Sequence, residues 1–215
     1  MIRVYKHNVT PSSLLITKAY DGEDVKIQLL SDQHDKCYLC ERYLVTDFEI
    51  EHHKSKDNYP HLIQNWNNLF LVCRYCNGKK SKNYDDTLYP VTINIEEEIR
   101  QIIDFDNKQA KFEALSDPSS QHTNTIDLLN KIFNGKDKIR KIKEKKFFDY
   151  IVSIVNDFSQ LIRDFQKSPS ITTKNLIIEA LQINKEMLGF KYWMIKSNED
   201  LLKEFGEYII WNKTA

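Results

Sequence analysis

Cys37-Tyr-Leu-Cys40 and Cys73-Arg-Tyr-Cys76 hold all four cysteines of the 215-residue chain, as two C-x-x-C pairs 32 residues apart. Each pair makes a tight turn that offers two sulfurs at the spacing tetrahedral zinc requires, and two such turns complete a four-thiolate site. In a reducing compartment the pattern is a metal site and not a disulfide framework. A redox C-x-x-C would need a thioredoxin-like βαβ setting, which the flanks lack. A zinc ion with four thiolates has no open position, so it builds the fold, and any catalysis falls to other residues.

Between and beside the cysteines run Phe48-Glu-Ile-Glu51-His52-His53-Lys54 and Asn65-Trp-Asn-Asn68-Leu69-Phe-Leu-Val-Cys73-Arg-Tyr-Cys76-Asn77-Gly-Lys79-Lys80. Taken singly, a Glu is usually a solvated charge, a His usually structural, and Asn-rich stretches usually turns. Their joint order is more specific. Glu51-His52, Asn68-Leu69 and Cys73-Arg-Tyr-Cys76-Asn77-Gly-Lys-Lys80 together resemble the motif of the HNH nucleases, over about 50 residues. The resemblance implies a ββα-metal core stapled by the cysteines and hydrolysis of nucleic-acid phosphodiester bonds. Glu51 and Asn77 then bind a catalytic divalent ion, Mg²⁺ or Mn²⁺, through oxygen. His52 is the general base, and Asn68 holds its ring or strand through the imidazole or the backbone. Lys79 and Lys80 are candidate phosphate contacts. The run Glu51-His52-His53 also admits His53 as the metal ligand in place of Glu51. A non-catalytic zinc-knuckle module that binds nucleic acid or protein is the alternative reading.

The flanks, from Val9-Thr-Pro11 to Gln33-His-Asp-Lys-Cys37, narrow the resemblance. Over about the first 135 residues the chain is similar to the HNH component (PtuB) of Septu-type antiphage systems, also found beside some retrons. That similarity implies a toxic effector restrained by an ABC-class ATPase partner, and it admits a homodimer within a larger complex. Many relatives carry an apolar residue, Arg and Pro after the histidine, where this chain has His53-Lys54-Ser55. DNA is favoured as substrate, with RNA open.

Lys+Arg and Asp+Glu balance at 31 each, so any nucleic-acid surface must come from local distribution and not from total charge. The one basic run, Lys136 to Lys146, reads either as a solvated helix face or as a phosphate-tracking strip that includes Lys141, Lys143 and Lys145. The start, Met-Ile-Arg-Val-Tyr-Lys-His, shows no signal-peptide pattern, and no apolar run approaches the ~18–20 residues of a membrane span. A cytoplasmic protein without a membrane partner is the expectation.

Glycine and proline number only five each, which favours helices over a turn-rich β fold. The fold expected is α+β: an arm at 1–30, a small zinc-stapled ββα-metal domain at 31–90, a β-hairpin and linker at 91–118, and a mainly α-helical domain at 119–215. Phe48–Glu51 and Leu69–Val72 read as short strands, and 77–86 as helix. Val25, Ile27, Leu29 and Leu30 fit a short helix or a strand. Ile99–Phe105 and Ala110–Leu115 flank a turn at Asp106-Asn107-Lys108. Thr123 or Thr125 could cap a following helix. Phe147, Phe148, Ile151, Val155, Phe158, Ile162 and Phe165 recur at helical steps over 145–166, and 173–187 and 198–210 predict two more helices.

Overall fold

A computed structural model describes residues 1–136 and 139–211. The described elements run α1 (Ser12–Ile16), α2 (Glu23–Gln33), β1 (Phe48–His52), β2 (Leu69–Cys73), α3 (Arg74–Asn77), α4 (Ile95–Glu98), β3 (Ile99–Asp104), β4 (Gln109–Ala114), α5 (Ser120–Phe133), α6 (Ile142–Lys167), α7 (Ile171–Ala180), α8 (Leu188–Lys196) and α9 (Glu199–Phe205). The class is α+β, as expected. No described helix is long and apolar enough to cross a membrane.

The strands form two antiparallel hairpins, β1 with β2 and β3 with β4. β1 pairs with β2 from Phe48↔Cys73 to His52↔Leu69. All five residues of β2 are buried, so it reads as a continuous apolar run with no alternation. At its end the chain turns into α3, where the Cys73 sulfur accepts from the Cys76 amide as an N-cap. The four cysteine sulfurs meet at this corner, all within 4.8 Å of one another and all buried. A Zn–S distance of ~2.3 Å requires sulfurs roughly 3.8 Å apart, and Cys40 Sγ lies 3.9 Å from Cys73 Sγ. The geometry fits a four-thiolate zinc site. Beside it, burial opposes the charge on Arg42, and the Cys73 and Cys40 sulfurs outweigh that cost.

One apolar cluster runs from Met1 and Val4 through the cysteine corner to Phe133, Phe147 and Phe190. A second joins Phe158, Ile162, Ile177, Ile195 and Phe205. The helix α6 serves both, because its apolar residues recur every three or four positions and line one face. The stretch read as an arm is packed at its start, with Met1, Ile2 and Val4 buried.

Three local expectations change. The helix expected over 77–86 is replaced by the four-residue α3 and a 3₁₀ turn at Lys82–Tyr84. Burial of the Lys80 ammonium against Glu51 and the His52 carbonyl draws the chain inward instead of along a helix axis. The cap of α5 is Ser119, not Thr123 or Thr125, in a capping box with His122. The helix expected over 173–187 stops at Ala180, and α8 occupies a stretch not predicted as helix. The reason is tertiary. Lys36 Nζ donates to the carbonyls of Ile183 at 2.6 Å and Lys185 at 2.8 Å, holding that stretch as a turn. Met187 then takes φ +58°, and Glu41 accepts from the amides of Leu188 at 2.7 Å and Gly189 at 3.0 Å. A Cβ at Gly189 would lie 2.5 Å from Gln101 Oε1, so any larger residue there would make the Gln101 side chain shift.

Glu41 is buried, yet its pKa stays low: burial raises it, and the Met1 α-ammonium at 2.7 Å and Lys36 outweigh that effect. Glu41→Ala should lower stability by about 3–5 kcal/mol, because it leaves buried donors unpaired; a urea unfolding midpoint measures this. Purified protein should carry about one zinc ion per chain, and Cys73→Ser should lose both the metal and the near-ultraviolet dichroism of the folded protein.

Candidate active site

The strand β1 presents its residues alternately, so Glu49 and Glu51 share one face and Phe48, Ile50 and His52 the other. Glu51 and His52 are neighbours at the end of the strand, and the residues after β1 and β2 complete their surroundings.

On the histidine side, His52 is 3% exposed. Its Nε2 lies 2.9 Å from the Ile63 carbonyl. A carbonyl only accepts, so Nε2 carries the proton and Nδ1 is the unprotonated nitrogen. No described residue hydrogen-bonds Nδ1. Burial lowers the His52 pKa, so the ring is neutral at pH 7. Tyr20 stands edge-on to the imidazole, with centroids 4.9 Å apart, and its hydroxyl accepts from Lys56 Nζ at 3.2 Å.

The carbonyl that orients His52 belongs to the loop between β1 and β2, and Asn68 fixes that loop. Its Oδ1 accepts from the Lys54 amide at 2.7 Å. Its Nδ2 donates to the carbonyls of Lys54 at 3.0 Å and Leu62 at 3.2 Å. Asn68 therefore makes backbone bonds and none to the imidazole. Asp85 adds a second clamp by accepting from the Ser55 amide, the Ser55 hydroxyl and Asn58 Nδ2. Lys6 is a third: its buried ammonium donates to the Trp66 and Leu69 carbonyls, and burial brings its pKa down to about 7.

On the acidic side, Glu51 Oε1 lies 2.7 Å from Lys80 Nζ, and its Oε2 has no hydrogen-bond partner among the described residues. Asn77 Nδ2 donates to Glu49 Oε2 at 2.5 Å. A carboxylate needs a donor, so this contact sets the amide and leaves the Asn77 carbonyl oxygen without a described partner. Arg74 Nε donates to the other Glu49 oxygen at 3.3 Å. One carboxylate oxygen and one amide oxygen are thus available, the hard donors that suit Mg²⁺ or Mn²⁺ completed by water.

His53 stands elsewhere. It is buried, contacts Thr87 Oγ1 at 3.1 Å and packs against Tyr89 and Phe70. Burial brings its pKa down to about 4, which marks a neutral core histidine away from the acidic face. The Lys80 side chain is 1% exposed and internally paired, while Lys79 is paired with Glu144 of α6. The sequence reading missed Glu49, which the two-residue period of β1 would have supplied. Tyr20 and the Ile63 carbonyl come from tertiary packing and have no local signal.

Residues 37–83 match the model of a family described as HNH endonuclease. A stretch of 70 residues, 31% of this chain, is 40% identical to the Septu protein PtuB of Bacillus thuringiensis. The match spans 27% of that protein, so it speaks for one portion of both chains. The segment at residues 37–83 that resembles the HNH endonucleases carries the four cysteines, His52, Asn68 and Asn77.

Proposed function

We propose that this protein is a metal-dependent endonuclease that hydrolyses nucleic-acid phosphodiester bonds. The observation that carries the reading is the neutral His52 with Nε2 bound to Ile63 and Nδ1 unpartnered, set on the hairpin that also presents Glu51 and Asn77. In this reading His52 Nδ1 takes a proton from a water molecule as its oxygen attacks phosphorus. The P–O bond to the leaving sugar oxygen breaks, and that oxygen is protonated by solvent. The Glu51 carboxylate and the Asn77 carbonyl would hold a divalent ion, which would supply positive charge at the phosphate and the leaving oxygen. Asn68 keeps the Ile63 carbonyl in place and with it the His52 tautomer, and Glu49 keeps the Asn77 carbonyl free of protein donors. The buried Lys80 holds one Glu51 oxygen and leaves the other to the ion.

The likeness to a Septu protein supports a role as the toxic effector of an antiphage complex with an ABC-class ATPase, in the cytoplasm, where reduced thiols suit a zinc site.

Cleavage of plasmid, single-stranded DNA and RNA, with Mg²⁺, Mn²⁺ or EDTA, tests the reading. His52→Ala should lower cutting by about 10²–10⁴-fold with the circular dichroism spectrum unchanged. Because burial depresses the His52 pKa, the base form persists as pH falls, and the acid limb of the wild-type rate profile should have its midpoint below 6.5. No cutting under any condition by folded, zinc-loaded protein, with or without its partner, would favour the binding-module reading. Glu49→Ala should raise the Mg²⁺ concentration at half-maximal cutting by roughly 10–100-fold, since the Asn77 amide is then free to turn.

A further inference from the structure

A trough begins one residue past Asn77. It consists of two adjoining recesses of about 920 and 980 Å³ that share Gly78, Lys79, Lys141 and Glu144. The floor is α3, and the far wall is the end of α5 with the start of α6, outside residues 37–83. Six cations line it: Arg74, Lys79, Lys131, Lys136, Lys141 and Lys143. The three acids that face them are already engaged. Glu144 pairs with Lys79, Asp127 accepts from the Tyr84 hydroxyl, and Asp47 lies 4.0 Å from Arg74. Lys136, Lys141 and Lys143 are exposed, and none of them forms a described salt bridge, although Lys141 stands close enough to Glu144 to stabilise its charge.

We propose that this trough is a track for a nucleic-acid phosphodiester backbone, through which the helical half delivers a strand to the acidic face of the hairpin. The inference rests on the nuclease reading and adds a substrate-binding element that the HNH segment does not contain. Three observations carry it. A chain with 31 cations and 31 anions has concentrated six cations against three acids along one recess. Such a surplus attracts polyanions locally while the whole molecule stays neutral. The recess is also continuous with the site, because Arg74 lines it and donates to Glu49, the residue that holds Asn77. Finally, Ile139 and Ile142, 72% and 78% exposed, stand between the lysines on the wall and offer apolar surface to base edges. Lys145 does not line the trough, so the phosphate strip that the basic run suggested is made by Lys136, Lys141 and Lys143 with residues of α3 and α5.

The test measures binding apart from cutting. Fluorescence anisotropy in EDTA, on the full chain carrying His52→Ala, would follow labelled single- and double-stranded DNA and RNA at several salt concentrations. With Lys136→Gln, Lys141→Gln and Lys143→Gln combined, affinity for at least one of these should fall by about tenfold or more. The slope of log affinity against log salt should shrink by roughly two to three. A control with Lys167→Gln, Lys196→Gln and Lys203→Gln, which removes the same charge from exposed positions away from the trough, should bind as the parent does. Equal loss in both triple variants, or none in the first, overturns the track. So does a polyglutamate peptide that competes as well as the nucleic acid, which would make the trough a seat for an acidic protein. The two readings fail separately. His52-dependent cutting that ignores the trough lysines removes the track and keeps the nuclease. Trough-dependent binding without cutting under any metal removes the nuclease and keeps the track.

Discussion

Four sulfurs within 4.8 Å of one another tie the turn after α2 to the corner between β2 and α3, and the rest of the molecule is arranged around that tie. A two-stranded hairpin is marginal in water by itself. Here β2 is buried along its whole length, and its end is capped by a cysteine sulfur that belongs to the cluster. Fixing that corner fixes the register of β1, and the register decides which face carries Glu49 and Glu51 and which carries His52. The cysteine corner therefore acts on the candidate site only through geometry.

The proposed reaction makes two demands that conflict in water. A general base must be neutral, and a cation site must be negative. Burial and the Ile63 carbonyl keep His52 neutral with one fixed tautomer, next to the acidic groups of the same hairpin. Lys80 lies between, its ammonium shared by the Glu51 carboxylate and the His52 carbonyl. An internal cation there offsets part of the charge of the acidic face and braces the end of β1. Its place in the HNH-like motif suggested a ligand contact, but the burial of its side chain gives it a scaffolding part.

The helical half does more than adjoin this unit. Glu41, next to Cys40, receives the first amides of α8, and Lys36, next to Cys37, holds the turn before it. Lys79, two residues past Asn77, meets Glu144 at the start of α6. Each link leaves the cysteine corner or the site and ends beyond residue 140, on a helix or on the turn before one. The walls of the trough are set by the same links, so loss of the corner would disturb both the β1–β2 hairpin and the surface beside it.

The sequence by itself determined the chemistry and the local elements. Spacing made the four cysteines a candidate metal site, and the order of Glu51, His52, Asn68 and Asn77 carried the resemblance to the HNH nucleases. The β3–β4 hairpin and α6 were legible because their periodicities are strong and local. Only the tertiary structure decided what depends on distant partners. The end of α7 and the start of α8 are set by Lys36 and Glu41, about 150 residues upstream. The partner of Asn77 is Glu49, whose role appears only once β1 and β2 are in register. The burial of His53 and Lys80, the contact of Tyr20 with His52 and the meeting of α3 with α6 belong to the same class. A residue's type and spacing state what it can do, but which of its atoms remain available is fixed by the neighbours that folding brings to it.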